Sequence, residues 1–130
     1  MENNDPEPES AVSLRGRCVL IVEDEYFLAD DLAKGFADVG IDILGPVPTL
    51  AKALVFAEHR QLSGAVLDIN LGSDKVYEVA DALVGRDVPV VFVTGYAKSD
   101  IPARFADVPF CQKPAEFAEV IEALRRAAIR

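Results

Sequence analysis

The chain has 130 residues, 51% apolar and 27% charged, enough for one domain with a normal core and little room for a second. Its net charge is −9, with 22 acids against 13 basic residues, which argues against a protein that grips duplex nucleic acid through clustered Lys and Arg. No apolar run approaches the roughly 20 residues that cross a bilayer, and the acidic, Pro-containing start does not read as a secretory signal. Neither nucleic acid nor a membrane is therefore an expected partner.

Residues 1–15 (MENNDPEPESAVSLR) hold four acids and two prolines in the first ten positions. Such a composition buries too little apolar surface to offset ordering, and predicts a disordered acidic tail ahead of a domain over 16–130. Within that domain, apolar runs at 18–22, 41–47, 64–69, 88–93 and 108–111 are short and mostly rich in Val and Ile, as in strands covered on both faces. Cys18 and Cys111 fall in two of these runs and read as buried free thiols, which suits a reducing cytoplasm.

Between the runs lie segments with helical spacing. Leu28, Leu32, Phe36 and Val39 form one stripe that stops at Gly40; Leu50, Ala53, Leu54 and Ala57 form the next. Val76, Val79, Ala80 and Leu83 follow, and Phe117, Val120, Ile121 and Leu124 close the series behind Pro114. The segment 95–108 is the exception: Pro102 interrupts it and only Ile101 and Phe105 are spaced for a helix, so a short or mobile helix is expected there. Strands alternating with helices predict an α/β fold, a doubly wound parallel sheet with helices on both faces.

In such sheets ligands gather outside the carboxyl ends of the strands. Glu23 and Asp24 follow the first apolar run, Asp68 ends the third, Thr94 and Gly95 end the fourth, and Lys113 follows the fifth. Clustered carboxylates repel until a hard cation bridges them, and an all-oxygen set suits Mg²⁺. Asp68 has the chemistry of an acyl-phosphate nucleophile. Metal, Lys113 and the Thr94 hydroxyl would then neutralise the transferring phosphoryl oxygens. Singly, each residue has a plainer reading, as turn former, surface loop or helix start. Glu25 reads as the solvated first turn of a helix, and His59 as the exposed end of one. The ordered set is what carries the signal.

That set resembles the response-regulator receiver domain: LIVEDE matches its first-strand acidic pair, LDINL its phosphoacceptor strand, VTG its hydroxyl position and KP its lysine. The resemblance runs from about residue 16 to the end and implies the flavodoxin-like strand order 2-1-3-4-5. It further implies that Asp68 accepts phosphate and that Asp24, Asp68 and the Asn70 backbone carbonyl hold Mg²⁺ or Mn²⁺, with Glu23 acting through water. Thr94 and Lys113 would grip the phosphoryl group. The stretch Phe92-Val93-Thr94-Gly95-Tyr96 is similar to the Phe-Ala-Thr-Gly-Tyr strand of alphaproteobacterial stand-alone receivers, whose usual partners are sensor histidine kinases of the HWE or HisKA_2 type. Many receivers have a mobile aromatic, often Tyr, on the fifth strand; the matching residue here is Phe110, and Tyr96 is the other candidate for that role.

The function expected is a single-domain response regulator, phosphorylated by a histidine kinase or a histidine phosphotransfer protein. It would signal in trans by altered partner binding or act as a phosphate sink. A receiver-like binding module that works without phosphorylation is the main alternative. A flavodoxin-like cofactor protein is disfavoured, because EDEYF would repel a phosphate that lacks metal.

Overall fold

The computed structural model describes residues 17–128. The tail expected over 1–15 lies outside the described residues. Five parallel strands form the sheet: β1 (Cys18–Val22), β2 (Asp42–Val47), β3 (Gly64–Asp68), β6 (Val90–Thr94) and β7 (Phe110–Gln112), in the order β2-β1-β3-β6-β7. This is the predicted 2-1-3-4-5 order. The shift in labels comes from a small antiparallel ribbon, β4 (Asn70–Leu71) with β5 (Asp74–Lys75), that follows β3. Every residue of β3 and β6 is buried, as the unbroken apolar runs require of central strands covered on both sides.

Among the described residues four α-helices cover the sheet: α1 (Tyr26–Asp38), α2 (Leu50–His59), α3 (Tyr77–Gly85) and α4 (Phe117–Ala128). Their predicted stripes face inward. On one side Leu28, Leu32 and Phe36 of α1 and Val120, Ile121 and Leu124 of α4 pack on Val19, Ile21, Val66 and Val91. On the other, Ala53 and Ala57 of α2 and Val79, Ala80 and Leu83 of α3 pack on Leu20, Leu67 and Phe92. Both cysteines are free; Cys111 is buried and Cys18 only half-buried. Among the described residues, no helix is long and apolar enough to cross a membrane.

The α1–α4 contact depends on a missing side chain. Phe36 and Phe117 meet edge to face with ring centroids 5.0 Å apart, and a Cβ at Gly35 would clash with the Cγ end of the Phe117 ring. In an exposed helix Gly→Ala stabilises by about 1 kcal/mol. Here overpacking costs about 1–3 kcal/mol and outweighs that gain. Gly35→Ala is therefore expected to lower stability in urea unfolding, and Phe117→Ala to reverse the sign of the Gly35→Ala effect.

Residues 95–109 hold no α-helix. Two 3-10 turns, Lys98–Asp100 and Ala103–Phe105, take its place. Pro102 is the reason: it supplies no N–H and pushes the preceding residue out of helical conformation, and Ile101 has φ −90°, ψ 133°. The segment is nonetheless anchored. Phe105 is buried, stacked on Tyr77 and edge-on to Phe92, and the Arg104 guanidinium covers Phe105 while making two 3.0 Å bonds to Asp81 of α3.

Candidate functional site

The site is built at the carboxyl edge of β1, β3, β6 and β7. Glu23 prolongs the β1–β2 ladder, its N–H donating to the Val47 carbonyl at 3.1 Å, and its side chain is only 2% exposed as a residue. Glu23 Oε2 accepts from the Glu25 N–H at 3.0 Å and from Lys113 Nζ at 3.1 Å. Its Oε1 is buried without a hydrogen-bond partner among the described residues. Asp24 faces solvent, with Oδ2 accepting from the Gly72 N–H at 3.1 Å. Asp68, the last residue of β3, is buried; Oδ1 accepts from the Asn70 N–H at 3.3 Å and Oδ2 from Lys113 Nζ at 3.2 Å.

Lys113 follows β7, and its N–H donates to the Thr94 carbonyl at 2.7 Å, tying the two strand ends together. Its ammonium bonds Glu23, Asp68 and also Glu25, at 3.3 Å. Thr94 is fully buried, and its Oγ1 accepts from the Tyr96 N–H at 3.0 Å. The Tyr96 hydroxyl donates to Asn70 Oδ1 at 3.1 Å. Phe110, half-buried on β7, lies beneath the Lys98 ammonium, 5.6 Å from its ring centroid.

The electrostatics follow from burial. Desolvation, then the charge of Asp68, pushes the Glu23 carboxyl up to about 7, although the Glu25 N–H and Lys113 pull it back. Burial also raises Asp68, against the opposing pull of Lys113 and the Asn70 amide. Burial alone would lower Lys113; bonds and charge from Glu23 and Asp68 overcome it and hold the ammonium above its ordinary range. One oxygen from each of Glu23, Asp24 and Asp68 lies within 4.8 Å of the others. An all-oxygen set with an orphaned buried carboxylate oxygen fits a hard divalent cation.

The structure thus brings Glu23, Asp68 and Lys113 into direct contact, with Asp24 beside them, and links Thr94 to Lys113 through the backbone. Glu25 stands solvated at the start of α1 as foreseen, and its carboxylate is in addition the third partner of Lys113. The sequence separation of 88 residues left no local signal for that contact. His59 is exposed at the end of α2.

No family model matches the chain. The solution structure of SdrG from Sphingomonas melonis Fr1 superposes with a TM-score of 0.76 at 38% identity, over 88% of this chain and 97% of that one. A response regulator receiver protein from Sinorhizobium medicae WSM419 superposes with a TM-score of 0.74 at 23% identity, over 87% of this chain and 94% of that one. The chain belongs to the response-regulator receiver family. The receiver is also 33% identical over 112 residues to the phyllosphere-induced regulator PhyR of Methylorubrum extorquens, covering 79% of the chain and 41% of PhyR. It spans about half the length of the curated relatives it matches, between 41% and 58%.

Proposed function

We propose that this receiver takes a phosphoryl group from a sensor histidine kinase onto Asp68 in a Mg²⁺-dependent reaction, and signals in trans through altered partner binding or as a phosphate sink. The observation that carries the reading is the Lys113 ammonium held at 3.2 Å from Asp68 and 3.1 Å from Glu23, beside Asp24. Asp24, Asp68 and the Asn70 carbonyl would hold the cation, with Glu23 supporting it through water. When bound, the cation would supply charge stabilisation to the phosphoryl oxygens.

The chain's own residues supply the rest. An Asp68 carboxylate oxygen attacks phosphorus as the P–N bond of phosphohistidine breaks and the imidazole leaves. Lys113 exchanges a carboxylate contact for a phosphoryl oxygen, which keeps the new charge paired. Thr94 turns its hydroxyl toward another phosphoryl oxygen and gives up the Tyr96 N–H. The Phe92–Tyr96 stretch supports the likeness to stand-alone receivers and, with it, a kinase of the HWE or HisKA_2 type as donor. A cytoplasmic location belongs to the same reading. Tyr26 and Phe27, 72% and 78% exposed beside the acids, offer a protein partner an apolar foothold.

Incubation with a small-molecule phosphodonor and Mg²⁺ is expected to add one acid-stable, base-labile phosphate, seen by intact mass. Asp68→Asn is expected to abolish it. No phosphate on the wild type, or an undiminished phosphate on Asp68→Asn, would refute the reading and favour a module that works without phosphorylation.

A further inference from the structure

The β4–β5 ribbon buries Leu71 in the core, exposes its tip, and touches the site at three points. Its turn is made by Gly72, at φ 63°, whose N–H reaches Asp24. At its base the Asn70 N–H reaches Asp68. At its side, Asn70 Oδ1 accepts from the Lys75 ammonium at 2.6 Å as well as from the Tyr96 hydroxyl, and the same ammonium stands 5.2 Å over the Tyr96 ring. Tyr96 is joined in turn to Thr94 through its amide. One unbroken chain of contacts therefore runs from Lys75 through Asn70 and Tyr96 to the buried hydroxyl of Thr94.

We propose that Lys75 is a positioning residue that clamps Tyr96 onto Asn70 and so holds Thr94 in its resting arrangement until phosphorylation. The physical case rests on what each contact contributes. A charge-assisted bond to an amide oxygen is stronger than a neutral one, and a cation over an aromatic face adds to it. Both come from one exposed side chain that contributes nothing to the apolar core. Rotating Thr94 toward a phosphoryl group gives up the Tyr96 N–H that its Oγ1 accepts. Tyr96 is the residue whose ring lies under Lys75 and whose hydroxyl is held on Asn70, so the proposed clamp opposes the shift of Tyr96 that would follow Thr94. The clamp therefore raises the cost of the active arrangement without touching the reacting atoms.

The inference rests on the function proposed above for its meaning, but its first test needs no phosphorylation. In ¹⁵N- and ¹³C-labelled protein without Mg²⁺, Lys75→Met is expected to move the Tyr96 ring resonances and the Thr94 and Tyr96 amide resonances, because the ring loses the ammonium above it and the contacts behind it relax. Lys75→Arg is expected to restore them. A variant in which none moves, or in which the Tyr96 ring moves and the Thr94 amide does not, overturns the proposal.

In the second test, Lys75→Met should gain base-labile phosphate from acetyl phosphate and Mg²⁺ faster than wild type, by about five-fold for a clamp of ordinary coupling strength. An unchanged rate also overturns it. Absence of phosphate on the wild type counts against the proposed function instead, and the resonances alone then decide the clamp.

Discussion

Lys113→Met is expected to lower the stability of the metal-free protein at pH 8 and to slow phosphate uptake at least a hundred-fold. The ammonium is the only cation bonded to Glu23 and Asp68 among the described hydrogen bonds, and both carboxylates are buried. Removing one partner of a fully buried pair costs about 3–5 kcal/mol. Lys113 itself is only half-buried, so screening brings the expected loss to about 1–3 kcal/mol. Proton uptake limits it further. Without Lys113 both carboxyls titrate still higher, so they shed their charge on acidification, and the loss should shrink toward pH 5. Chemical denaturation of wild type and variant at pH 5 and 8 checks this. Equal losses at both pH values would mean that Lys113 supports the fold by packing instead of charge.

The second large effect couples protons to metal. The Glu23 carboxyl is raised from 4.5 to about 7 on folding, and Asp68 is raised in the same direction. The folded state therefore binds more protons than the unfolded state between about pH 4.5 and 7. The contribution of these two carboxyls to the stability of the metal-free protein is fully present below that window and is lost as pH rises through it, by on the order of 2 kcal/mol. Lys113 does not alter the sign, because its own raised titration acts only above pH 10.5.

A divalent cation held as proposed would bind the deprotonated carboxylates, so its apparent affinity should weaken roughly 30-fold between pH 8 and pH 5.5 for one proton lost near pH 7. At a hundred times its dissociation constant it returns about 2.7 kcal/mol of stability. Isothermal titration of Mg²⁺ at the two pH values is the check, with Glu23→Gln expected to flatten the pH dependence. An equally steep dependence in Glu23→Gln would assign the proton to another group.

The contrast between what the residues foretold and what they hid has a physical origin. Val19–Val22, Ala65–Leu67 and Val90–Val93 announce their strands because burial on both faces demands unbroken apolar runs, and parallel strands place all their carboxyl ends on one edge. Glu23, Asp24, Asp68, Thr94 and Lys113 could be placed together for that reason alone. The ribbon at 70–75 has no such pattern. Its two-residue strands are held by Gly72 on Asp24 and by the Val76 N–H on the Ile69 carbonyl, contacts visible only in three dimensions. The same applies to Glu25 and to Arg104, whose partners Lys113 and Asp81 are distant in sequence. Pro102 marked the fourth crossover as irregular, but only the packing of Phe105 against Tyr77 and Phe92 explains why the irregular segment stays in place.

That crossover differs in kind from the other three. Its backbone bonds run Asp100 to Ala97 and Ile101 to Lys98, then Phe105 to Pro102 and Ala106 to Ala103, then Val108 to Phe105, so that two short overlapping pairs of turns and a last single turn replace a continuous ladder. An α-helix resists bending because its overlapping bonds must yield together, whereas separate turns yield one at a time. The segment leading away from Thr94 and Tyr96 is a series of short links, fastened to the body by buried Ile101 and Phe105 and by Arg104 on Asp81. Lys98 Nζ bonds the Ala106 carbonyl at 2.9 Å across the two turns. A displacement at its upper end can be absorbed within one pair of turns, so this surface can be remodelled at less cost than a continuous helix while α3 and the sheet beneath it keep their packing.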